Sequence, residues 1–161
     1  MANRLSSYVT KIYKTPKVFH SFLLTKLFCS QVKFANTAKI KLLKVTDTEV
    51  LLSLANKKRV QNHIGGIHAV AAALLAESAT GIILGMNLPD SSLPLLKSMT
   101  LHYNKRMQGA LTAKANLNTD QICQIQQQAK GDLVVAVELI DESGQAPIVA
   151  EMNWAWISKT R

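Results

Sequence analysis

Residues Gly66–Leu84 read GIHAVAAALLAESATGIIL, a stretch in which Glu77 is the only charged side chain when histidine is neutral. Its alanine and leucine content and its lack of proline predict a helix. Apolar residues occupy the whole circumference of that helix and not a single stripe, so it must be covered on most sides. The wider run Ile64–Leu88 is long enough to raise the question of a membrane span, but it holds His68, Glu77 and four glycines. It reads as the core helix of a soluble protein.

The cover is supplied by the flanking segments. From Leu95 onward the hydrophobic period becomes that of strands, in LKSMTLHY, ALTAKANL, LVVAVELID and IVAEMNWAWI. Gly109 and Asp141-Glu142-Ser143-Gly144 supply turns, and Asp120 can cap a short helix over Gln121–Gln128. Upstream, Lys39–Thr46 and Glu49–Leu54 form a hairpin around Asp47-Thr48, and Asn56–Asn62 is a polar, basic connection. Residues 17–34 place Val18, Phe19, Phe22, Leu23, Leu27 and Phe28 at helical spacing with Lys17, Lys26 and Lys33 between them. This predicts an amphipathic helix that starts near Pro16 and carries a basic polar face. The order helix, hairpin, buried helix, four strands gives an α+β fold in which one antiparallel sheet, its last four strands joined as a meander, curls around the central helix.

The chain has 161 residues, 48% apolar and 18% charged, which suits one compact core and excludes a disordered or disulfide-stapled chain. Cys29 and Cys123 show no metal or redox spacing and read as two buried, reduced thiols. Ser21–Ser30 resembles a signal-peptide core but is interrupted by Lys26, so a cytoplasmic protein is expected. The net charge of +9 is concentrated at one end: residues 1–60 hold 12 basic and 2 acidic side chains, while residues 61–161 hold 7 and 8. Phe19, Phe22 and Phe28 belong to the apolar pattern of the first helix, so stacking platforms for nucleic acid are not indicated. No nucleic-acid partner is expected, and membrane contact through the basic N-terminal helix is open but not expected.

Glu77 is the residue to explain, because a carboxylate in an apolar helix is costly unless paired or used. His68 lies nine residues before it, about 180° around an ideal helix and roughly 13 Å along the axis. Either the two face different clefts, or a symmetric partner brings one protomer's Glu77 near the other's His68. Asn62-His63-Ile64-Gly65-Gly66-Ile67-His68 forms a glycine-bearing turn into the helix N-terminus, where free N–H groups and the helix dipole could receive an oxyanion. His63 reads as a surface loop residue and Lys57-Lys58-Arg59 as a solvated charge run. Lys105 and Arg106, near Gly109, could dock phosphates. Trp154 and Trp156 share one face of a strand and pack on the core or an interface.

The pattern Asn-x-x-Gly-x-x-His followed nine residues later by an acid, here NHIGGIHAVAAALLAE, resembles the hotdog-fold acyl-CoA thioesterases of the phenylacetate-pathway type. Within that superfamily the chain is more similar to the DUF4442 and YiiD C-terminal-like group, over about residues 36–158. The resemblance implies a hotdog domain over residues 36–161 behind a basic helical extension over 1–35. It implies a thioester hydrolase needing no metal or other cofactor, with coenzyme A entering as part of the substrate. Glu77 would be nucleophile or general base, Asn62 would position water or the carbonyl, and His68 would stand at the helix start. Gly65, with Gly66 beside it, would form the approach loop, and the Ala69 N–H would serve as oxyanion donor; apart from the resemblance, Lys105 and Arg106 are placed near Gly109 where the phosphates of coenzyme A could dock. Members of the fold build the site across a homodimer, with pairing into a homotetramer as a further level. Two other activities fit the same fold: a non-catalytic acyl-CoA or lipid-binding module, and an enoyl thioester hydratase or dehydratase.

Overall fold

The computed structural model of the chain describes residues 3–159. Three helices come first: α1 (Arg4–Tyr13), α2 (His20–Gln31), preceded by a 3-10 turn over Lys17–Phe19, and α3 (Lys33–Ala38). The hairpin β1 (Lys41–Val45) and β2 (Glu49–Leu54) leads to the central helix α4 (Ala69–Asn87). Strands β3 (Ser92–Tyr103) and β4 (Leu111–Asn116), helix α5 (Thr119–Gln127), and strands β5 (Gly131–Asp141) and β6 (Ile148–Ser158) complete the chain. The six strands form one antiparallel sheet in the order β1-β2-β4-β5-β6-β3, curled around α4 as in the expected hotdog arrangement.

The helix–sheet contact is close because small side chains meet there. Ala72, Ala76 and Ala79 of α4 and Ala113 and Ala115 of β4 are fully buried, and α4 makes its most extensive contact with β4. Alternation does the rest: Val50, Leu52 and Leu54 of β2, Val135 and Leu139 of β5, and Met152, Trp154 and Trp156 of β6 all point inward. Thus α4, although long and apolar enough to cross a membrane by length and composition, is wrapped by the sheet.

Several expectations shift. Helix α4 begins at Ala69 and not at Gly66, because an antiparallel bridge between Gln61 and Ile67 keeps the preceding residues extended. It continues to Asn87, whose side chain donates to Ile83 O at 2.9 Å and Asp47 O at 2.8 Å, and stops where Leu88 precedes Pro89. Strand β3 is not part of a meander. It sits at the far edge and pairs with β6, because the loop after it docks on the β5–β6 turn instead of folding back as a hairpin. There Asn104 N and Lys105 N donate to Pro147 O, and Gln108 N donates to Asp141 Oδ2 at 2.9 Å. Burial alone would push the Asp141 carboxyl up, but its hydrogen bonds with Ser143, Gln108 and Gln145 outweigh that and hold it below the usual range.

The cap of α5 is Asn118, not Asp120; Asn118 and Gln121 form a reciprocal capping box. Cys29 is buried as expected, whereas Cys123 is exposed on α5. Helix α1 is not among the expected elements, although Leu5, Val9 and Ile12 stand at helical spacing. Asn3 caps it and also donates through Nδ2 to Gly85 O at 2.6 Å, tying α1 to the last turn of α4. The inward face of α2 also differs from the expected one. Ser21 Oγ donates to Leu42 O at 2.7 Å and Leu42 N donates to Thr25 Oγ1 at 2.9 Å, which turns Leu24 and Cys29 into the core. Val18, Phe19 and Phe22 are left 80%, 51% and 64% exposed. Polar and apolar side chains are both spread around α2, so its period could not select a face; two hydroxyls bonded to β1 do.

Candidate active site

The loop entering α4 is a self-bonded turn. Asn62 N donates to Gly66 O at 2.8 Å, Gly65 N donates to Asn62 O at 3.1 Å, and Gly65 takes a positive φ of 77° that glycine tolerates without strain. Asn62 Oδ1 accepts from Ile64 N and Gly66 N, both at 3.1 Å, so this oxygen is already engaged in holding the loop. Two further residues clamp the turn from outside: Asn56 Nδ2 donates to Gly65 O at 3.1 Å and Arg106 Nη2 to Ile64 O at 3.2 Å.

His68 is the N-cap of α4. Its Nδ1 accepts from Val70 N at 3.1 Å, and its own N–H donates to Val60 O at 2.7 Å. A neutral ring with Nδ1 accepting carries its proton on Nε2, so the remaining edge of His68 is a donor. The next N–H, of Ala69, has no acceptor among the described residues. On the other side of Ala69, Tyr103 Oη donates to its carbonyl at 2.7 Å, fastening the end of β3 to the first turn of α4; burial raises the Tyr103 pKa.

Glu77 lies on the one stripe of α4 that the sheet does not cover, which runs through Val70, Leu74, Glu77, Gly81 and Gly85 at spacings of four, three, four and four. It lines two cavities at once. One, of about 350 Å³, lies toward the helix start among Val70, Leu74, Phe34 and Met99. The other, of about 370 Å³, runs toward the helix end between Phe28, Gly81, Gly85, Leu5 and Trp154. Glu77 makes no salt bridge among the described residues, and burial pushes its carboxyl above the ordinary glutamate range. Trp154 is held in the wall by a hydrogen bond from Nε1 to Thr80 Oγ1 at 2.9 Å.

His68 and Glu77 are not brought together in one chain. His68 lines a separate cavity of about 330 Å³, which nevertheless shares Phe34, Val70 and Leu74 with that of Glu77. The two therefore open on the same side of α4, not on opposite sides. The 180° expectation fails because His68 has extended backbone, φ −64° and ψ 139°, outside the helical count. The separation along the axis remains. Arg106 lines a fourth cavity, of about 470 Å³, with Gly65, Gly66 and Asn56, whereas Lys105 Nζ turns away to Gln145 Oε1 at 3.2 Å. Tyr103, Phe34 and Met99 were not singled out by the sequence. Tyr103 ends a strand that runs to the helix start, but nothing local in its neighbourhood marks that meeting.

Comparison with known proteins places this geometry in a family. No curated protein matches the chain. Among solved structures it is similar to PA5026 from Pseudomonas aeruginosa, described as a protein of unknown function and probable thioesterase, at 21% identity and TM-score 0.76 over 84% of this chain and 93% of that one. It is similar to the thioesterase HI1161 from Haemophilus influenzae at 15% identity and TM-score 0.68, over 84% and 88% of the two chains. A mutant of the thioesterase SAV0944 from Staphylococcus aureus aligns at 18% identity and TM-score 0.67, over 78% and 98%. These likenesses are of fold. Residues 21–157 match the family described as a domain of unknown function (DUF4442), and the chain belongs to that family.

Proposed function

We propose that the protein hydrolyses acyl thioesters, with acyl-CoA as the substrate class and Glu77 as the group that activates the attack. The observation that carries this reading is an unpaired, half-buried carboxylate set midway along an apolar groove on the central helix. Such a groove accepts an acyl chain, and a carboxyl with a raised pKa is a better proton acceptor than an ordinary glutamate. Structural neighbours described as thioesterases support the same chemistry.

In the proposed reaction Glu77 takes a proton from water as the oxygen attacks the thioester carbonyl, or attacks that carbonyl itself to give an anhydride that water then opens. The C–S bond breaks, the thiolate leaves and is protonated, and the products are a carboxylic acid and free thiol. The developing oxyanion would be held by the Ala69 N–H at the positive end of α4. Ala69 and Glu77 of one chain are about 12 Å apart along the helix axis, too far to act on one carbonyl. The reading therefore includes a homodimer in which one protomer's Ala69 faces its partner's Glu77. The free edge of β3, where Leu93, Leu95, Met99 and Tyr103 are exposed, suits such pairing. Arg106 beside the Gly65-Gly66 turn is the phosphate contact for the coenzyme, and the basic N-terminal third draws the polyanionic substrate in a cytoplasmic setting.

The test is thiol release from acyl-CoAs of short, medium, long and aromatic acyl groups. Release from at least one class is expected. Saturable binding without release would make the protein a binding module, and a change at an enoyl double bond without release would make it a hydratase.

A further inference from the structure

The start of α2 carries an apolar patch that the fold leaves uncovered. Val18, Phe19 and Phe22 succeed one another at spacings of one and three along a continuous helical path from the 3-10 turn into α2, and each is more than half exposed. Core packing cannot account for them, since Leu24 and Cys29 occupy the inward face of the same helix.

The surroundings of the patch are cationic. Residues 3–46 contain nine Lys or Arg and no acid. Lys14, Lys17 and Lys26 are all exposed and make no salt bridge among the described residues; Lys26 is one helical turn beyond Phe22 on the same stripe. The hydrogen bonds of Ser21 and Thr25 to Leu42 hold this helix against β1, the sheet edge opposite β3. A pairing of two copies through β3 would thus leave the patch free. Aromatic and branched side chains projecting between lysines match an anionic bilayer surface: the apolar groups enter the acyl boundary while the ammonium groups meet lipid phosphates.

We propose that the 3-10 turn over Lys17–Phe19 and the first turn of α2 form a peripheral membrane anchor, which docks the protein on anionic phospholipid through Val18, Phe19 and Phe22 inserted between Lys14, Lys17 and Lys26. Helix α2 then links the bilayer to the Glu77 groove, since Phe28 near its end lines that groove about 9 Å further along the axis. The anchor does not depend on the thioesterase reading.

The test is co-sedimentation of the full chain with vesicles of phosphatidylcholine mixed with phosphatidylglycerol, and with vesicles of phosphatidylcholine alone. Binding to the mixed vesicles is expected, with little binding to the neutral ones and weakening as salt rises. Phe22→Ser together with Val18→Ser should lower vesicle affinity by about tenfold or more, with the melting temperature unchanged because both positions are exposed. Lys14→Gln and Lys17→Gln should each cost about fivefold. Three results would overturn the proposal. The first is equal binding to neutral and anionic vesicles, or none to either. The second is binding to duplex or single-stranded nucleic acid tighter than to the vesicles and indifferent to the Phe22 change. The third is a wild-type oligomer that the serine substitutions dissociate, which would make the patch an interface between copies.

Discussion

Replacing Thr80 by valine tests whether the groove wall is built as described. Thr80 and Trp154 are buried, at 0% and 5% exposure, and Thr80 Oγ1 both donates to Ala76 O at 2.9 Å and accepts from Trp154 Nε1 at 2.9 Å. Valine keeps the shape and the β-branching, so neither a cavity nor a change of helix propensity is introduced. What remains is a buried indole N–H without a partner, costing about 1–3 kcal/mol. For a domain of this size that is a fall of roughly 2–4 °C in melting temperature per kcal/mol. Trp154→Phe removes the donor itself and leaves a void against Gly81, where an added Cβ would lie 2.9 Å from the indole ring. In the double variant no N–H is stranded, so the two costs should sum to about 1–2 kcal/mol less than additive. The assay is denaturant unfolding of the four proteins at one temperature, compared at equal slope. Costs additive within about 0.5 kcal/mol would mean that the Thr80–Trp154 bond does not carry the stability assigned to it.

The groove itself is probed by its glycines. An added Cβ at Gly85 would meet only Leu5 Cδ2 at 3.5 Å, so Gly85→Ala should stabilise the chain by about 0.5–1 kcal/mol while narrowing the far end of the groove. It should lower the long-chain to short-chain ratio of kcat/KM, and Gly81→Ala should instead destabilise in the same unfolding assay because of its contact with Trp154. The raised pKa of Glu77 means that the folded state holds its proton to higher pH than the unfolded chain does. Stability should therefore fall as pH rises from the ordinary glutamate range through the raised value, and level off above it. Glu77→Gln should be the more stable protein at neutral pH, with the advantage vanishing in acid; an advantage independent of pH would contradict this. Arg106→Ala should raise KM for acyl-CoA and leave that for a truncated acyl thioester without phosphates unchanged, as measured by thiol release.

Much of the fold is legible because its elements obey simple periods. The all-apolar circumference around Glu77 marks α4 as central, and the period-two runs mark β4, β5 and β6 within a few residues. The position of β3 is not legible, because strand order depends on where the Asn104–Ala110 loop docks, and its anchors on Pro147 and Asp141 are distant in sequence, the Gln108–Asp141 contact spanning 33 residues. The outward turn of Phe22 is equally hidden, since it follows from the hydroxyls of Ser21 and Thr25 bonding to a strand. In the site, Glu77 stands out as the only acid of an apolar helix, and the Asn62–Gly66 turn as a glycine-bearing approach to it. The capping role of His68 and the reach of Tyr103 to Ala69 O are geometric facts that spacing does not encode.

The central claim is that Glu77 drives thioester cleavage from within the groove. It is tested most directly by single-turnover thiol release from an acyl-CoA that the wild type cleaves, comparing wild type with Glu77→Gln at matched, saturating protein. The account predicts that acyl-CoA still binds to the glutamine variant while release falls by about 100-fold or more. Release within a few-fold of wild type would remove Glu77 from the chemistry and contradict the account.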